Sequence, residues 1–138
     1  MRKARSVVAH KACETVGTVS TTDIGREKED LACRYLQESE GYEVIERNYR
    51  CKYGEIDIIA LQDNVLIFVE VRYRRQGGLV SATESVDKTK ARRLRLTVRS
   101  YLSDHIYSRL AGQPLRVDLC VIKDGQPGYE LLKGIIEF

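Results

Sequence analysis

Residues 65–73, VLIFVEVRY, place the tightest constraint on the fold. Side chains alternate faces along a strand, so Leu66 and Phe68 lie on one side and Ile67, Val69, Val71 and Tyr73 on the other. A strand that is apolar on both faces is covered on both, which requires a central place in a sheet with helices above and below. Glu70 and Arg72 continue the face of Leu66 and Phe68, so a carboxylate stands where a core residue is expected. The preceding run, EIDIIALQ at 55–62, repeats the intrusion at Asp57, with Glu55 two residues earlier on the same face.

The other elements follow from periodicity and punctuation. Residues 1–22 have no consistent period and end in the polar run TVSTTD, so they read as a loosely ordered tail, and residues 23–138 as the folded domain. Thr22 or Asp23 can cap a first helix that sets Ile24, Leu31, Ala32, Tyr35 and Leu36 on one face and stops at Gly41. Three strands follow at about 42–50, 55–62 and 65–73, the last two joined by a turn at Asp63-Asn64. After RRQGG, a loop by composition, Ser85 can cap a second helix to about Ser103, with Ala91, Leu94, Val98, Tyr101 and Leu102 at helical spacing. LRVDLCVIK reads as a further strand, DGQPG as a turn and YELLKGIIEF as a closing strand or docked tail.

With 138 residues, one domain is expected. No apolar run approaches the ~20 residues of a membrane span, and His10, Lys11 and Glu14 interrupt any secretory h-region. A cytoplasmic location follows by elimination. Cys13, Cys33, Cys51 and Cys120 have no paired spacing and read as free thiols, and two isolated histidines cannot build a metal site, so any metal is held by oxygen. The net charge of +3 implies nothing by itself, but residues 72–99 carry nine Lys or Arg against Glu84 and Asp87. That excess of one sign suits contact with nucleic-acid backbone, with DNA expected more than RNA, through Arg74, Arg75, Lys88, Lys90, Arg92 and Arg93. The competing reading is a solvated helix face. Tyr49, Tyr53 and Tyr73 can stack on bases, although core or strand packing is the better explanation of each.

A turn centred between Asp63 and Asn64 pairs Gln62 with Val65 and, continued, sets Asp57 directly opposite Glu70. Like charges at such a position are destabilising unless something positive lies between them. Two hard carboxylates suit Mg²⁺ or Mn²⁺, which lower the pKa of bound water and offset charge on a phosphoryl oxygen. The alternative is an ion network in which Asp57 and Glu70 are simply paired with Arg72 and nearby lysines.

The series GREKEDLACRYL, GYEVIERNYR, GEIDIIA, VLIFVEVRYR, VDKTKARRLRLTVRSYL and RVDLCVI resembles the YraN family, whose members are similar to Holliday-junction resolvases of the PD-(D/E)xK nuclease superfamily. The resemblance implies an α/β, restriction-endonuclease-like fold, a mixed central sheet flanked by helices with an αβββαβ core. It implies a metal held by Asp57 and Glu70 with Glu29 from the first helix, and it sets Arg72 where the superfamily has lysine. Arg72 keeps the charge but, with a pKa of about 12.5 or more, cannot act as a base. Lys28 stands where family members commonly have glycine. Two functions are therefore expected: a metal-dependent nuclease acting on nucleic acid, including branched DNA, or a binding module in which Arg72 has ended turnover. A homodimer is compatible with a two-fold symmetric substrate.

Overall fold

The computed structural model describes residues 21–74, 86–105, 110–125 and 128–138. The expected tail, apart from its last two residues, and the 75–85 segment with Arg75 and Ser85 lie outside the described residues. The chain runs as helix α1 (Thr21–Ser39), strands β1 (Glu43–Cys51), β2 (Gly54–Gln62) and β3 (Val65–Arg74), helix α2 (Lys88–Asp104), and strands β4 (Leu115–Lys123) and β5 (Tyr129–Leu132). The strands form one open sheet in that same order, antiparallel throughout except for the parallel pair β3 and β4. Parallel neighbours need a crossover, and α2 lies within it.

The two apolar faces of β3 divide the core as its alternation predicts. Ile67 and Val69 pack with Ala32, Cys33 and Leu36 of α1, together with Ile58, Ala60, Cys120 and Ile122. Leu66 and Phe68 pack on the opposite face with Leu94, Val98 and Tyr101 of α2, and Tyr101 meets Phe68 edge to face at 5.6 Å. The hairpin between β2 and β3 turns through Asp63 (φ 49°) and Asn64 (φ 64°), two left-handed residues whose twist matches that of the strands they join. That turn sets the register, and the expected pairs from Gln62↔Val65 to Ile58↔Val69 all form.

Three local expectations change. Helix α1 already runs at Thr21, ahead of both Thr22 and Asp23, and Ile24 is 38% exposed rather than on the buried face. The stop at Gly41 does form, with φ 71° there and the Tyr42 N–H donating to the Leu36 carbonyl at 2.9 Å. Helix α2 is capped by Asp87 rather than Ser85: its carboxylate accepts the Lys90 N–H at 2.8 Å.

In β4, Asp118 is fully buried and fully occupied. Arg116 donates to both of its oxygens, at 2.8 and 2.9 Å, and the Tyr42 hydroxyl and Gly134 N–H donate as well. Such a closed network holds β4 to the start of β1 without an unmatched charge. Cys33, Cys51 and Cys120 are free thiols. Among the described residues no helix is long and apolar enough to cross a membrane.

Candidate functional site

The site begins with an interruption of strand periodicity. Residues two apart on a strand share a face, yet Ile56 packs in the α2-side core and Ile58 in the α1-side core. The alternation breaks at Asp57. It breaks at the same level on β1, where Arg47 reaches Asp30 of α1 at 2.7 Å while the Tyr49 hydroxyl meets Ser100 of α2 at 3.0 Å. The pairs Arg47↔Ile58 and Tyr49↔Ile56 bracket this point, and between Arg47 and Tyr49 lies Asn48, in the left-handed region at φ 55°.

On its other side β2 parts from β3. The ladder ends at Ile58↔Val69, and the Asp57 carboxylate takes the position of the next ladder bond by accepting the Val71 N–H at 2.7 Å. Asp57 therefore does not sit squarely opposite Glu70, as the register alone predicts. It occupies the gap where the strands diverge, a consequence of a break that the alternating pattern of the sequence conceals.

The electrostatics distinguish the two acids. Asp57 is 8% exposed and makes no ion pair among the described residues. Burial, then the neighbouring Glu70 charge, push its pKa up to about 7 against the opposing pull of the Val71 N–H, and Glu29 and Glu55 push in the same direction as burial. Glu70 is equally buried and its pKa is also raised by burial, but Arg72 pulls it back. Two cations converge on its Oε1: Lys90 Nζ at 2.6 Å and Arg72 Nη2 at 3.4 Å. Part of the expected ion network therefore exists, and it serves Glu70 alone. Both acids are thus pushed toward the neutral form by burial, and only Glu70 has cations that oppose the push.

Glu70 opens into a cleft of about 310 Å³ between the β1–β2 turn and the first turns of α2, with Tyr53, Glu55, Lys90 and Arg93 on its walls. Gly54 brings these walls together: it adopts φ 154°, and a Cβ there would lie 3.3 Å from Thr97 Oγ1. The remaining residues of interest scatter around this centre. Glu29 is half-buried and within 3.9 Å of Arg47, which favours Asp30, so Glu29 acts on Asp57 through its field. Lys28 lies over the Tyr73 ring at 4.6 Å. Glu55 is exposed and paired with Arg50 at 3.1 Å. Lys88, Arg92 and Arg93 are exposed on α2, Arg74 is half-buried at the end of β3, and Arg75 lies outside the described residues. Among the tyrosines, Tyr49 is packed into the core and Tyr53 is exposed at the mouth of the cleft.

Two features of this site escape a reading of the sequence. The contact between Lys90 and Glu70 joins residues on different elements, and nothing in the charge run of α2 separates Lys90 from its neighbours. Asn48 carries a fainter signal, because asparagine tolerates left-handed backbone better than the residues around it. Among the described residues no group of three acidic, histidine or cysteine side chains gathers at metal-binding distance. Asp57 and Glu70 are the two buried acids that β2 and β3 bring to this point.

A family model described as "Uncharacterised protein family UPF0102" matches residues 28–122. That span runs from the middle of α1 to the end of β4 and contains every residue of the site. The chain is 43% identical over 105 residues to a UPF0102 protein of Sulfurihydrogenibium sp., covering 76% of this chain and 88% of that one. It is 45% identical over 110 residues to a UPF0102 protein of Thermotoga maritima (80% and 94% covered), and 41% identical over 109 residues to one of Pseudomonas savastanoi (79% and 85% covered). By the extent of the match and by these relatives, the chain belongs to the UPF0102 family.

Proposed function

We propose that the protein is a metal-dependent nuclease-like domain of restriction-endonuclease-like architecture, acting on nucleic-acid phosphodiesters, with DNA, including branched DNA, as the favoured substrate. The observation that carries this reading is Asp57: a buried carboxylate without an ion pair among the described residues, its pKa raised, beside Glu70 where two strands part. Burial makes that carboxylate costly to ionise without a partner, and a bound cation would remove the penalty.

Mg²⁺ or Mn²⁺ fits this donor set, because such ions keep several waters and take one or two protein carboxylates with the substrate phosphate as a further ligand. Asp57 and Glu70 would hold it, and it would supply an acidified water and charge stabilisation at phosphorus. Glu29 adds negative field from α1. Arg72 keeps Nη2 on Glu70 while its Nε is buried and unpartnered, a donor suited to a phosphate oxygen. Its guanidinium holds charge and moves no proton. Lys88, Arg92 and Arg93 on α2, with Arg74 and Arg75, would bind backbone phosphates without reading sequence.

The test is cleavage of labelled linear, flapped and four-way-junction DNA and matching RNA with Mg²⁺ or Mn²⁺, comparing the native chain with Glu70→Ala. Metal-dependent cutting lost in Glu70→Ala is the expected result. One observation favours a second reading, a binding module without turnover: Glu70 already has two cations on one oxygen. That module would bind the panel and cut none of it, and Arg72→Lys is the variant that separates a lost residue from a lost function.

A further inference from the structure

Lys90 is the one cation of the α2 basic run whose ammonium reaches into the acidic centre. Its backbone is fixed by the Asp87 cap, and its side chain crosses from α2 to β3 to place Nζ 2.6 Å from Glu70 Oε1. Arg72 approaches the same oxygen from its own strand at 3.4 Å. The cations are thus unevenly shared: Glu70 has two, while Asp57 has none among the described residues. An ion bridging both acids would correct that imbalance, and one of the cations on Glu70 then becomes surplus. Lys90 is the one free to leave. Its ammonium is a strongly hydrated point charge on a flexible four-carbon stem, on the wall of an open cleft. Arg72, by contrast, keeps part of its guanidinium buried.

Resting on the nuclease reading above, we propose that Lys90 is the resident counter-ion of Glu70: it holds the carboxylate in the metal-free protein, yields it when a divalent cation binds, and then presents its ammonium to the phosphodiester in the cleft. The role makes two demands of opposite sign on one side chain. Removing Lys90 should ease metal binding, because a competitor is gone, and should slow cleavage, because a charge facing the phosphate is gone.

The experiment measures Mn²⁺ affinity of the nucleic-acid-free protein by calorimetry, and Mn²⁺-dependent cleavage, for the native chain, Lys90→Met, Lys90→Arg and Arg72→Met. Lys90→Met is expected to bind Mn²⁺ about three- to tenfold more tightly, the order set by removing one half-screened ion pair. It is also expected to cut at least about tenfold more slowly, as for a lost charge at a transition state. Lys90→Arg keeps the charge and should stay near the native affinity, which guards against a trivial packing effect. Unchanged or weaker Mn²⁺ binding in Lys90→Met overturns the counter-ion role, and tighter binding with undiminished cleavage overturns the phosphate role. If the native chain binds Mn²⁺ and Lys90→Met tightens it while neither cuts, the counter-ion role stands and the nuclease reading falls. Failure of both proteins to bind Mn²⁺ removes both.

Discussion

Asp57 is where one residue's environment can be read directly as stability. Its pKa rises from an ordinary 3.8 to about 7 on folding, so the native state holds a proton that the unfolded chain has already released between those values. Stability from this group is complete below the unfolded value, declines as pH rises towards 7 and is flat above it, with a total cost of up to about 4 kcal/mol. Asp57→Asn keeps an acceptor for the Val71 N–H and removes the charge. It should therefore stabilise the metal-free protein, and by about 2 kcal/mol more at pH 8 than at pH 5 in urea unfolding. An equal gain at both pH values would mean that Asp57 does not titrate between them. Asp118 is the contrasting case: also an aspartate, more deeply buried, and saturated by Arg116, Tyr42 and Gly134. Tyr42→Phe leaves Asp118 Oδ2 and Arg116 short of one partner and should cost about 1–3 kcal/mol by the same measurement.

At the level of elements, the order of helices and strands was legible because each carries a strong period, and the β2–β3 register was legible because Asp63 and Asn64 both accept the left-handed turn. The pairing of acids was legible to within one residue and no further. It fails where Asn48 and Asp57 interrupt two adjacent strands together, since a break of alternation adds no composition signal of its own. Ile24 was misplaced for a related reason: helical spacing puts it in line with Leu31 and Tyr35, but β-strand cover does not extend to the first turns of α1. The Asn48 break has a measurable cost structure. Asn48→Val forces a β-branched side chain into φ 55° and should destabilise by about 1–2 kcal/mol, while Asn48→Gly should stay within about 0.5 kcal/mol of native. Chemical denaturation of the two variants checks this, and equal losses would place the value of Asn48 in its side-chain contacts instead of its backbone.

At the scale of the whole molecule, the modest net charge of +3 leaves room for a local contrast of sign between the site and one face of α2. The acids Asp57 and Glu70 are buried at the sheet's centre, while Lys88, Arg92, Arg93 and Arg99 are exposed on the helix that walls the cleft. On the proposed reading, such an arrangement would draw a polyanion to α2, and its phosphates would meet the acids only with a cation between them. If α2 is the backbone-binding element, affinity for nucleic acid must fall linearly in log–log form with salt, with a slope of about −0.9 per duplex phosphate contacted. Arg92→Ala together with Arg93→Ala should then lower the magnitude of that slope by about 2 and weaken linear and junction DNA alike, because phosphate contacts carry no sequence information. Both arginines are exposed, so folding should be unaffected and the loss attributable to binding. Fluorescence anisotropy across a salt series, without metal, reads the slope directly. An unchanged slope would assign the α2 charges to solvation alone and move the nucleic-acid contact elsewhere on the sheet.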